Sequence, residues 1–319
     1  MRNQILIFFF FTLLISCNSS SNKKVDVTAV NVDYSISRFD IDFYSSDETS
    51  LQNTKNIYPH FFDEKTPDSV WINKINNKDE RALFLETQKV FFNFEFTEKQ
   101  LTSLFKYIKF YNPDFKPPNV TTLLSNIDYR NKVIYTEDML LISLDVYLGR
   151  EHPFYVDFPK YIKQSYQKNH IVVDVALEII KKQISFSNDR TFLGKMIHEG
   201  KKMYLLDLYL EEISDEEKIG YDKDKYNWAV ANESQVWKYF IENKMLFNTD
   251  TKLNKRFIEN APFSKFYREE DNLSPGKIGV WIGWQIVRSY MKHNDVSLQE
   301  LLKISSEDLY KKSKYKPRK

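Results

Sequence analysis

The sequence predicts an α+β protein, mainly helical, with a small sheet in its N-terminal half. Three observations carry that expectation. Residues 119–144 hold short β-branched or apolar runs split by polar turns. From residue 159 onward, helical periodicity dominates. The chain has 319 residues, of which 42% are hydrophobic and 16% aromatic, enough to bury a substantial core.

The N-terminus fixes an expectation about location. Residues 1–17 read MRNQILIFFFFTLLISC: Arg2 leads into an apolar run over 5–15, too short to span a bilayer and suited to the core of a signal peptide. Leu14-Ile15-Ser16-Cys17 fits the lipobox of bacterial lipoproteins, which implies cleavage before Cys17 and acylation of its thiol and new amino group. Each buried CH₂ contributes about 0.8 kcal/mol, so two or three chains hold stably where one holds marginally. The alternative is an ordinary secretory signal or membrane helix with an incidental cysteine. Cys17 is the only cysteine, so no disulfide within the chain can support the fold. Residues 18–24 (NSSSNKK) read as a tether. They lack the acidic run that surface-exported lipoproteins of some Gram-negative groups carry.

The folded part is expected from residue 32. Residues 33–44 (DYSISRFDIDFY) alternate as a half-buried strand does. Helices are expected over 79–91 and 98–111, the second capped by Thr97 and stopped by Pro113. Strands are expected over 119–127, 132–135 and 139–144, with no Asn-Gly or Asp-Gly to set their register. Helices then cover 159–167, 171–184, 191–213, 223–244, 251–260, 278–293 and 297–304. Ser214-Asp215-Glu216-Glu217 has capping-box spacing. The basic end, residues 311–319, reads as a solvated tail. The organisation is therefore a signal peptide (1–16), a lipidated N-terminus and tether (17–31), and one globular unit (32–319). That unit divides into an α+β portion (32–158) and a helical portion (159–319) that share a core.

Composition excludes several function classes. With 46 basic against 44 acidic residues, nothing favours nucleic acid. Seven glycines include no phosphate-cradling loop, and no cofactor is expected. His60, His152, His170 and His293 read as structural or surface residues. His198 differs, because His198-Glu199-Gly200-Lys201-Lys202 lies mid-helix and begins like the zinc-peptidase motif H-E-x-x-H. Lys202 stands where the second histidine belongs, and a protonated ammonium has no lone pair for a metal. Glu233, on the next long helix, lies about where gluzincin-type enzymes place a carboxylate ligand. Gly279 and Gly283 share one face of a helix, and tight helix packing is the preferred reading over a ligand pocket.

Together these segments resemble the gliding-motility lipoprotein family GldB of the Bacteroidota. The resemblance rests on Cys17, Arg38-Phe39-Asp40, LDVYLG at 144–149 with Pro153-Phe154-Tyr155, MIHEGK at 196–201, Asn232-Glu233 before Trp237, and PGKIGVWIGWQIV at 275–287. It implies a lipid-anchored, periplasm-facing component needed for gliding, held to the membrane through Cys17 and associated with other envelope proteins of the motility machinery. It also implies a distant, degenerate zincin-like character in the helical part. The preferred expectation is a pseudoenzyme without catalytic residues or metal, its degenerate site marked by His198, Glu199, Lys202 and Glu233. One alternative is a metallohydrolase in which His198 and Glu233 bind the ion and Glu199 is the base. Another is a wall-polysaccharide binder using its many aromatics.

Overall fold

The sheet forms where the apolar runs fall. In the computed structural model, which describes residues 25–185 and 187–318, four short strands lie in the order β1-β2-β4-β3. They are β1 (Ile36–Ser37), β2 (Asn119–Leu123), β3 (Val133–Tyr135) and β4 (Met139–Ser143). β1 runs parallel to β2, β2 parallel to β4, and β3 antiparallel to β4. The register pairs Val120 with Leu140 and Thr122 with Ile142, and all four side chains are fully buried. Three of these strands sit where the sequence places them. The parallel pairs β1–β2 and β2–β4 depend on long crossovers that no local turn signal encodes.

The alternating stretch 33–44 is a strand only at Ile36–Ser37; Phe39–Tyr44 forms a helix, α1. The burial explains the change, since Asp40, Phe43 and Tyr44 are the buried residues and fall at helical spacing. Helices α2 (Leu51–Ile57) and α3 (Asp68–Asn76) follow, packing Leu51 and Ile75 with Phe43, Tyr44 and Phe84 in a small aromatic cluster. α4 (Lys78–Phe91) is capped by Asn77, whose side chain accepts from Asp79 N (2.9 Å) and Glu80 N (3.2 Å). α5 (Glu95–Tyr111) starts earlier than expected. Asn93 accepts from Glu95 N (2.7 Å), while Thr97 is buried inside the first turn and is not the cap.

The second half is helical: α6 (Lys160–Lys163), α7 (Ile171–Gln183), α8 (Phe192–Tyr209), α9 (Asp215–Ile219), α10 (Lys223–Ala231), α11 (Glu233–Glu242), α12 (Lys252–Phe257), α13 (Ile278–His293), α14 (Leu298–Lys303) and α15 (Ser306–Ser313). The helix expected over 159–167 is one turn, because Gln167 leaves it to bridge Leu148. The one expected over 223–244 breaks at Asn232, whose amide side chain turns back onto the Trp228 carbonyl (2.9 Å). Of the expected capping box one half forms: Ser214 accepts from Glu217 N (3.2 Å), while the Glu217 carboxylate turns to His170 (2.7 Å) and Gln167 (3.0 Å). The basic end is not a solvated tail: Ser313 is fully buried and Tyr315 packs on Trp237.

The main core joins the sheet, α5, α7, α8 and α13, and Val25 and Val27 already pack against it. Cys17, the signal peptide and residues 18–24 lie outside the described residues. Among those described, no helix is long and apolar enough to cross a membrane.

Candidate functional site

The centre of the molecule is the crossing of α8 and α13, and glycines set its distance. Gly200 of α8 lies directly on the Gly283 carbonyl, and Gly283 lies on the Met196 carbonyl. A methyl group at either position would overlap the other helix's backbone. Gly279 similarly meets the Phe257 carbonyl and Ile258. The glycine spacing therefore serves backbone contact between helices.

Because α8 is held this closely along its Gly200 face, its polar residues turn to the remaining sides. Glu199 accepts from the Lys202 ammonium at 2.7 Å, one turn along the helix, and both are partly exposed. His198 is half-buried and lines a cavity of about 810 Å³ between α8, residues 183–185 and 187–191, and the α14–α15 turn. Burial, and then the Lys202 charge, lower the His198 pKa below the ordinary histidine value, so neutral imidazole is favoured. Lys201 borders the same cavity but is itself buried. Its ammonium donates to the Ile304 carbonyl (2.8 Å) and the Leu302 carbonyl (3.3 Å) at the end of α14, and burial pushes its pKa down to about 8.

Glu233 goes elsewhere. It is fully buried at the first position of α11, where Oε1 accepts from the Tyr315 hydroxyl (2.9 Å) and Arg318 N (3.2 Å). Among the described residues its Oε2 has no hydrogen-bond partner. The structure thus joins Glu199 to Lys202 and Glu233 to the C-terminal segment. Among the described residues no group of three or more His, Cys, Asp or Glu could hold a metal ion.

A family model described as Gliding motility protein GldB matches residues 20–317, nearly the whole chain. The chain belongs to the GldB family. No curated protein and no solved structure matches it. The expected likeness to zinc peptidases is not shown.

The segments that carry the GldB resemblance are joints of the fold. In Arg38-Phe39-Asp40, the Arg38 guanidinium donates to Asp40 through Nε and Nη2 (2.9 and 2.7 Å), and Asp40 also accepts from Gln88 of α4 (2.9 Å) and from Thr122 of β2. In LDVYLG, the buried Asp145 accepts from Ser125 N and Ile127 N (3.1 and 2.7 Å), holding a turn in which Asn126 and Ile127 have left-handed backbones. Burial raises the Asp145 pKa even so. Tyr155 donates to the Asp145 carbonyl and accepts from Leu148 N (2.5 and 3.1 Å).

Two charged clusters escape any reading by spacing. Arg288 of α13 forks onto Asp207 of α8 (both contacts 2.7 Å) and Asp215 of α9 (2.7 and 2.8 Å), and stacks over Trp284 at 3.8 Å. Lys218 and the Trp284 indole also donate to Asp207 (3.1 and 2.8 Å). In the second cluster, Asp174 accepts from Lys132 (2.6 Å) and Tyr147 (2.8 Å), and buried His170 lies between Asp174 (3.7 Å) and Glu217 (2.7 Å). Burial alone would raise Asp174, but the Lys132 and His170 charges hold it below the ordinary carboxylate value. Lys132 and Asp174 lie 42 positions apart, so only the fold pairs them.

Proposed function

We propose that this protein is a lipid-anchored envelope component of the gliding machinery that acts by binding and not by hydrolysis. Membership of the GldB family supports the motility role. The non-catalytic reading is carried by Lys202, whose ammonium is bonded to Glu199 at 2.7 Å. In a working site Glu199 would have to accept a proton from metal-bound water. The carboxylate that this chemistry needs is instead engaged by a cation one turn away.

The lipobox supports a diacylglycerol on Cys17 as the attachment, with the folded unit facing the periplasm. Other envelope proteins of the machinery are the partners this role implies. Labelling cells with a clickable fatty acid tests the anchor. The wild-type protein should take label and sediment with membranes, and Cys17→Ser should do neither. A labelled, membrane-bound Cys17→Ser protein would overturn the lipoprotein reading. Metal analysis of the purified protein tests the chemistry: substoichiometric zinc is expected, and one tightly held zinc per chain would instead favour hydrolysis through His198 and Glu199.

A further inference from the structure

We propose that the cavity in front of α13 is a binding site for a phosphate-bearing ligand, with Lys277 as its central contact. The cavity measures about 540 Å³ and is bordered by the α6 region, the start of α10 and the 260–262 and 275–277 segments. Five cations line it: Arg150, Lys160, Lys163, Lys225 and Lys277. Only two carboxylates, Glu151 and Asp222, stand against them. Glu151 is largely exposed and reaches Lys163 only at 3.8 Å. The lining thus carries a surplus of three positive charges, five less two.

Lys277 is the residue whose state the fold alone does not explain. Among the described residues no hydrogen bond or ion pair engages its ammonium. The carboxylates whose charge acts on it, Asp174 and Glu199, are already bonded to Lys132 (2.6 Å) and Lys202 (2.7 Å). Burial pushes its pKa down to about 8, and the Lys132 charge acts in the same direction. A half-buried cation with no anion bonded to it favours a ligand that brings negative charge.

The backbone gives an independent indication. Lys277 is the N-cap of the sixteen-residue α13 and sits in the left-handed region (φ 47°, ψ 35°). Glycine occupies that region without strain and lysine does not, and such strain concentrates at functional positions. The loop is held firmly in place. Tyr221 donates to the Gly276 carbonyl (2.7 Å), Ser264 donates to the Pro275 carbonyl (2.7 Å) and accepts from Ile278 N (3.2 Å), and Lys225 ties the Asn272 and Ser274 carbonyls (2.6 and 2.8 Å).

The cations point to phosphate over carboxylate. Four of the five are lysines, which bind phosphate as point charges, and the one guanidinium already donates to Gln167 (3.2 Å). The start of a long helix adds a positive dipole end, which favours a phosphate's negative charge. The ligand is either a soluble phosphate compound or a phospholipid headgroup, which share this chemistry.

The test is calorimetric titration of the full-length protein in neutral detergent at low salt, with inorganic pyrophosphate and separately with short-chain phosphatidylglycerol. Saturable one-to-one binding of at least one probe is expected, and the probe that binds identifies the source. Lys277→Gly should weaken binding about tenfold or more, the scale of a lost charge-assisted contact. Its melting temperature should be unchanged or raised, because glycine relieves the left-handed strain. Lys163→Gln, which leaves that backbone untouched, should weaken binding in the same direction. Binding of neither probe, or equal affinity in wild type and Lys277→Gly, would overturn the proposal.

Discussion

At the scale of single residues, burial and not motif position decides which lysine of α8 matters for stability. The motif comparison singles out Lys202, whereas burial singles out Lys201. Lys202 is partly exposed and paired within its own helix, so Lys202→Ala should cost less than about 1 kcal/mol. Lys201 closes two carbonyls at the end of α14, so Lys201→Ala should cost about 1–3 kcal/mol in urea unfolding at neutral pH. The Lys201 pKa gives a second signature. Its folded value of about 8 lies below the unfolded value of about 10.4. Across that window the unfolded chain holds more protons, so stability should rise with pH. Wild type should gain on Lys201→Met as pH increases from about 8 toward 10. A difference that stays flat over that range would show that Lys201 is not buried as described.

Among elements, the α8–α13 crossing should be the least tolerant part of the fold. Gly283→Ala places a methyl into the Met196 carbonyl and should cost about 3 kcal/mol or more, read as a lowered melting temperature. Gly149 has open space around it, so Gly149→Ala there pays only for its left-handed backbone, about 1 kcal/mol. Arg288→Met takes the bonded cation from Asp215 and leaves Asp207 with only Lys218 and the Trp284 indole, and should cost about 3 kcal/mol. Burial would raise Asp215, but the Arg288 contacts hold its pKa below the ordinary value. Stability from that pair is therefore present above about pH 4 and lost as pH falls through the folded value, and Arg288→Met should abolish this acid dependence. The sequence showed α4, α7, α8, α13 and three strands because each carries its own periodicity. It could not show α1, where a short amphipathic helix shares the alternation of a strand, nor the Arg288 and Asp174 clusters, whose members meet only after the helices pack.

For the whole molecule, the C-terminal segment closes the fold. Removing residues 314–319 takes both donors from the buried Glu233 Oε1 and the Tyr315 ring from Trp237, and should lower stability by about 1–3 kcal/mol. Its basic character suggests a free tail; only the three-dimensional pairing with Glu233 reveals its role. The segments that mark the GldB family hold elements together, which is consistent with a protein whose shape is its working surface. Surface movement of cells in which Glu199→Ala replaces the wild-type chain tests that claim most directly. With accumulation confirmed by immunoblot, gliding at the wild-type rate is expected, while cells lacking the protein should not move. Normal levels of the Glu199→Ala protein with complete loss of movement would contradict a non-catalytic role.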